Sequence, residues 1–96
     1  ELDNIFELAS KNFYDSITAL KTSDFELAAT IAEREREINI LEQNARNSHV
    51  ARLHAGTCSV EAGIYFLDII SNLERISDHS INITEELGRM SGHVSL

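Results

Sequence analysis

The sequence predicts an all-α domain built as an antiparallel three-helix bundle. Three observations predict it. Apolar residues recur at steps of three and four through three long segments, the spacing that lines one face of a helix. Proline is absent and only four of the 96 residues are glycine, so little interrupts a helix. The gaps between the segments are a few residues long, which makes neighbouring helices run antiparallel.

The first helix is expected over about 2–21, with Leu2, Phe6, Ala9, Phe13, Ile17 and Leu20 as its inward stripe. Ser23 followed by Glu26 reads as a capping box, with the hydroxyl taking an orphan N–H and the carboxylate reaching back. The second helix is expected over about 24–54, with a stripe of Leu27, Ile31, Ile38, Leu41, Ala45 and Leu53. That stripe is interrupted at Arg34-Glu35 and again near Ser48-His49. Gly56 suits the left-handed position that ends a helix. The third helix is expected over about 59–87, with Phe66, Ile69, Leu73, Ile76, Ile83 and Leu87 inward and Gly88 as its stop. Residues 1–88 then form one domain and 89–96 a flexible tail.

Sixteen acidic residues against eight basic ones give a formal charge of -8. Such a chain repels phosphate backbones, so nucleic acid is excluded as a partner, whereas cations and basic protein surfaces are favoured. Cys58 is the sole cysteine, so no internal disulfide forms and a reducing compartment is the natural setting. No signal peptide is visible, and no apolar run approaches the roughly 18–20 residues that span a bilayer. The chain opens already inside a helical pattern and reads as a piece of a longer protein.

Two polar lines run along the third segment. Glu74 and Asp78 stand at i and i+4, so both carboxylates leave one helix face a turn apart. Like charges at that spacing repel, and a hard divalent or trivalent cation reverses the sign. The alternative is a solvated acidic face. The second line holds Asp68, Asn72, Arg75, His79, Asn82 and Glu86, read as a seam of hydrogen bonds between helices. On the second segment Glu35 and Asn39 repeat the i, i+4 spacing, and Glu35 falls where the apolar stripe should continue. His49 and Arg52 read as structural members of the seam. No Glu-x-x-His pair, Gly-rich phosphate loop, Cys-x-x-Cys or partnered nucleophile occurs, so the chain is expected to act by binding and not as an enzyme.

The run Leu73-Glu74-Arg75-Ile76-Ser77-Asp78-His79, followed by Asn82-Ile83, resembles the signature of the phosphate-uptake regulator (PhoU) domain. Arg52-Leu53, Gly56, Cys58, Gly63, Phe66 and Asp68 look like the version fused to the C-terminus of bacterial sodium/phosphate cotransporters. Glu37-Ile38-Asn39 and His49 with Arg52-Leu53 are similar to the family's second helix. The resemblance covers most of the chain and is most specific in the third segment. It implies a PhoU-like, spectrin-repeat-like three-helix bundle. It also implies acidic-x-x-x-Asp motifs on two helices, which in some members hold multinuclear metal clusters. Carried onto this sequence they fall on Glu74 and Asp78, and on Glu35 and Asn39, where Asn39 replaces an aspartate and removes one charge. The implied cofactor is a metal ion of the iron, zinc, nickel or magnesium class.

The expectation from the resemblance is a regulatory domain of a sodium-dependent phosphate transporter on the cytoplasmic side of the cell membrane. Its partner would be the membrane-embedded part of its own transporter, with a homodimer as a further option. Half of a tandem PhoU regulator and a structural helical assembly module are the alternatives.

Overall fold

In the computed structural model, which describes residues 2–95 and the side chains of residues 2–89, three helices run up, down and up. They are α1 (Leu2–Thr22), α2 (Phe25–His54) and α3 (Val60–Ser95). Each packs against both others in a rod 56 Å long and 18 by 17 Å across. Among the described residues there is no strand, so the predicted fold class holds.

Both turns use one backbone device. At the first, the Asp24 N–H donates to the Ala19 carbonyl at 3.0 Å, six residues round, with Ser23 in the left-handed region at φ 54°. At the second, the Thr57 N–H donates to the Arg52 carbonyl at 3.0 Å, with Gly56 at φ 71°. These are Schellman closures, which satisfy the last carbonyls of a helix. Gly56 was legible for that reason. Ser23 was not: the expected capping box is replaced, because Ser23 ends α1 and Asp24 starts α2. The Asp24 carboxylate accepts the Leu27 N–H at 3.0 Å. Ser59 does the same for α3, its hydroxyl accepting the Ala62 N–H at 3.1 Å. Gly88 does not stop α3, which continues to Ser95; a helix-interior glycine costs about 1 kcal/mol but breaks no hydrogen bond. The part of the predicted tail at residue 96 lies outside the described residues.

The core falls into two apolar clusters. The first joins Ile5, Ala9, Ile38, Ala45, Ile70 and Leu73. The second joins Ala19, Ile31 and Leu87. Between them lies a polar layer in which Asn12, Ser16, Ser77 and Ser80 are buried. Asn12 donates to the Ile31 carbonyl at 3.2 Å, and Arg34 bridges the Asn12 amide oxygen at 2.8 Å and the Asp15 carboxylate at 2.9 Å. The interruption of the α2 stripe at Arg34 is therefore a satisfied polar layer.

Five stripe positions differ from expectation. On α1 the inward line is Ile5, Ala9, Asn12, Ser16 and Ala19, while Phe6, Phe13 and Ile17 remain exposed. Small side chains on the inward line let the helices approach closely, and the bulkier rings are displaced to the flank. On α3 Ile70 is buried and Ile69 exposed, and on α2 Leu53 is exposed.

Candidate functional site

The predicted metal-ligating residues meet in one place. Glu35 and Asn39 on α2 and Glu74 and Asp78 on α3 line a cleft of about 200 Å³, together with Glu42. The sequence explains the convergence. Residues 35, 39 and 42 share one side of α2, as 74 and 78 share one side of α3. The short connection between α2 and α3 places these two sides at the same height.

Glu42 is the member that sequence reasoning missed. It lies one turn beyond Ile38, where the apolar stripe calls for a hydrophobe, and seven residues after Glu35; that double position was the available signal. Its side chain is buried, with only 3% of the residue exposed, and its Oε2 has no hydrogen-bond partner. Burial, then the Glu74 and Glu35 carboxylates, push its carboxyl up to about 7, with Arg46 opposing and Asp78 adding to the rise. Glu35 is raised too, by burial first and Asp78 second, with the Ser77 hydroxyl acting the other way. Its Oε2 is likewise buried without a partner.

Glu74 is already engaged. Arg46 Nη2 lies 2.5 Å from Glu74 Oε1, across the cleft between α2 and α3. Among the described residues no three His, Cys, Asp or Glu side chains form a ready metal-holding group. The cleft is therefore a concentration of carboxylates with two orphaned buried oxygens and one guanidinium at its edge. Its oxygen-only donors suit a hard cation, and filling it requires Glu74 to exchange Arg46 for the ion.

Of the expected polar seam only His49, and in part Arg52, lies inside the bundle. His49 is buried and stacks on Phe66 with ring centroids 5.0 Å apart, and Arg52 lies 5.3 Å from the centre of the same ring. Asp68, Arg75, His79 and Asn82 are exposed. Arg75 reaches only Asn72 of its own helix, at 3.4 Å. Their helical spacing runs along the outer side of α3, and among the described residues the interhelical side-chain hydrogen bonds come instead from Asn12, Asp15 and Arg34 and from Arg46 with Glu74. No helix among the described residues is long and apolar enough to cross a membrane.

Residues 2–87 match the PhoU domain model. The chain is 30% identical over 87 residues to the phosphate-specific transport system accessory protein PhoU homolog 1 of Thermotoga maritima, covering 91% of this chain and 38% of that protein. It is 29% identical over 97 residues to the phosphate-specific transport system accessory protein PhoU homolog of Clostridium acetobutylicum, covering 96% and 44%. The chain thus spans less than half the length of either relative. No solved structure matches it significantly.

Proposed function

The chain belongs to the PhoU domain family, and from that premise we propose that it is a regulatory domain of phosphate uptake that acts by binding. The observation that carries this reading is the α2/α3 cleft, where a buried, unpartnered Glu42 sits among Glu35, Glu74 and Asp78. A buried carboxyl with an unpartnered oxygen is costly, and a cation among these carboxylates would offset that cost. Glu35, Glu42, Glu74 and Asp78 with the Asn39 amide are the residues that would hold a hard ion, which would supply charge neutralisation and a link between α2 and α3. The all-oxygen donor set favours magnesium or ferric iron over zinc or nickel.

In this reading the domain docks on the cytoplasmic side of a membrane-embedded phosphate transporter and restrains it. Two hosts fit about equally. One is a sodium/phosphate cotransporter that carries the domain on its own chain, which the residues around Gly56, Gly63 and Phe66 resemble. The other is a tandem PhoU protein of which this chain is about half, which agrees with the 38% and 44% of the relatives that it spans. Phosphate uptake in cells tests the reading. Cells whose host protein carries Glu42→Ala with Asp78→Ala should take up phosphate without restraint at high external phosphate. Uptake identical to wild type, with the variant protein present at wild-type level, would overturn it.

A further inference from the structure

Among the described residues the polar layer buries three serines, Ser16, Ser77 and Ser80, and Ser77 behaves unlike the other two. A helical serine commonly returns its hydroxyl to a carbonyl of the preceding turn. Ser16 donates to the Phe13 carbonyl at 2.7 Å, and Ser80 donates to the Ile76 carbonyl at 3.0 Å. Ser77 is buried to the same degree, with 1% of the residue exposed, yet its Oγ has no hydrogen-bond partner. Its hydroxyl stands instead against Glu35 of α2, close enough to oppose the rise that burial causes in that carboxyl.

Ser77 follows Glu74 by three residues and precedes Asp78 by one, so it shares the side of α3 that forms the cleft. Among the described residues three buried side-chain oxygens lack a partner: Glu35 Oε2, Glu42 Oε2 and Ser77 Oγ. Glu35 and Glu42 line the cleft, and Ser77 abuts Glu35, so all three oxygens gather in one region of the bundle. Each is costly alone, and together they are donors suited to a hard cation. Resting on the reading of the cleft as a cation site, we propose that Ser77 is a further ligand, the neutral oxygen on the inner wall, and that it sets the preference for a hard ion. Glu35, Glu42, Glu74 and Asp78 already bring four carboxylates, so another charged ligand would add mainly repulsion, whereas a hydroxyl adds an oxygen without charge. A hydroxyl has one proton and two lone pairs. With a lone pair on the ion, its proton is left for a carboxylate oxygen beside it, and neither group remains orphaned.

Calorimetric titration of the purified chain with magnesium, and separately with zinc, tests the assignment. Ser77→Ala should weaken magnesium binding about tenfold. Ser80→Ala, which removes a buried hydroxyl bonded to its own helix, should leave binding unchanged. Ser77→Cys, made with Cys58→Ser so that the native thiol does not compete, should shift the preference toward zinc by at least about tenfold, because a thiolate is a soft ligand. In metal-free urea melts Ser77→Ala should unfold at a midpoint equal to or above that of wild type, since it removes a buried hydroxyl without a partner. Lost binding is then not lost folding. Circular dichroism checks that each variant stays helical, and should the cysteine variant fail to fold, Ser77→Ala decides. Wild-type binding that Ser77→Ala leaves intact overturns the role of Ser77 while the cation site stands. So does an equal loss in Ser80→Ala, or a cysteine variant with the wild-type preference. A wild-type chain that binds neither ion overturns the cation site and the role of Ser77 with it.

Discussion

The imidazole of His49 fills the space that a side chain at residue 63 would need. A Cβ on Gly63 would stand 2.7 Å from His49 Cε1 and 3.0 Å from Nε2. The ring has little freedom to yield, being buried and stacked on Phe66. Gly63 thus serves a close crossing of α2 and α3 and not a special backbone conformation.

Gly63→Ala should therefore destabilise the bundle by about 1–3 kcal/mol through overpacking, although alanine favours a helix by about 1 kcal/mol. Urea melts would measure it. Combined with His49→Ala, the substitution should cost much less than the sum of the two single changes. Additive costs would show that the ring and the glycine are not in conflict.

Ser23→Gly should stabilise the chain by about 0.5–1 kcal/mol. Ser23 is the non-glycine residue with positive φ that closes the α1/α2 turn, and only glycine adopts that region without steric cost. Its counterpart Gly56 closes the other turn, so Gly56→Ser should lose a similar amount. Thermal melts that move both variants in the same direction would contradict this account of the turns.

Much of this molecule was legible because helix periodicity and turn chemistry are local. The three helices, Gly56, and the facing of Glu35 toward Glu74 and Asp78 follow from spacing plus a short hairpin, whereas the grouping of Asn39 with them was implied by the family resemblance. What escaped depends on how helices meet. Hydrophobicity pointed to Phe6, Phe13 and Ile17 beside Ala9 as the inward face of α1, yet close approach kept Ala9 and selected Asn12 and Ser16, whose burial is decided by size and by Arg34 reaching across from α2. Glu42 escaped for the opposite reason. Its place one turn beyond Ile38 and two turns beyond Glu35 marks a charge on the inward side of α2, but not that Glu74 and Asp78 of another helix will face it. Asp68, His79 and Asn82 shared a helical line, but a line does not say which side a neighbour covers.

Acid should stabilise the metal-free chain through Glu42. Its carboxyl is raised from 4.5 to about 7 in the fold, so the folded state holds a proton that the unfolded state has released. A group of this sign gives its full contribution below about 4.5, loses it as pH climbs, and has lost it above about 7. The loss is on the order of 1–3 kcal/mol, and Glu35, also raised, adds in the same direction. Glu42→Gln should flatten the decline between pH 5 and pH 8 (about the window in which linkage acts) and leave the protein more stable than wild type at the upper end. Denaturant melts at both ends decide it; a variant less stable at high pH would mean that Glu42 is ionised and well paired.

Glu42 should give up that proton when a hard cation is supplied. The cleft sets Glu35, Glu42 and Asp78 together with a net negative charge that only Arg46 offsets, and Arg46 is committed to Glu74 at 2.5 Å. An ion competes with the proton on Glu42 and with the guanidinium on Glu74, so its affinity depends on both. Below pH about 7 the apparent affinity should rise with pH, by up to about tenfold per unit for one displaced proton. Glu42→Gln should reduce that dependence to what Glu35 contributes, because the amide has no proton to release. Asp78→Asn should weaken binding at every pH. Arg46→Ala should strengthen it, since Glu74 is then unpaired. Calorimetric titrations with magnesium and ferric iron, run at two pH values and in buffers of different ionisation enthalpy, measure affinity and proton release together. Equal, weak, salt-screened heats in wild type and in Glu42→Gln with Asp78→Asn would mean that the cleft is a solvated acidic face. Its orphaned oxygens would then be kept for the protonated pairing of α2 with α3 alone.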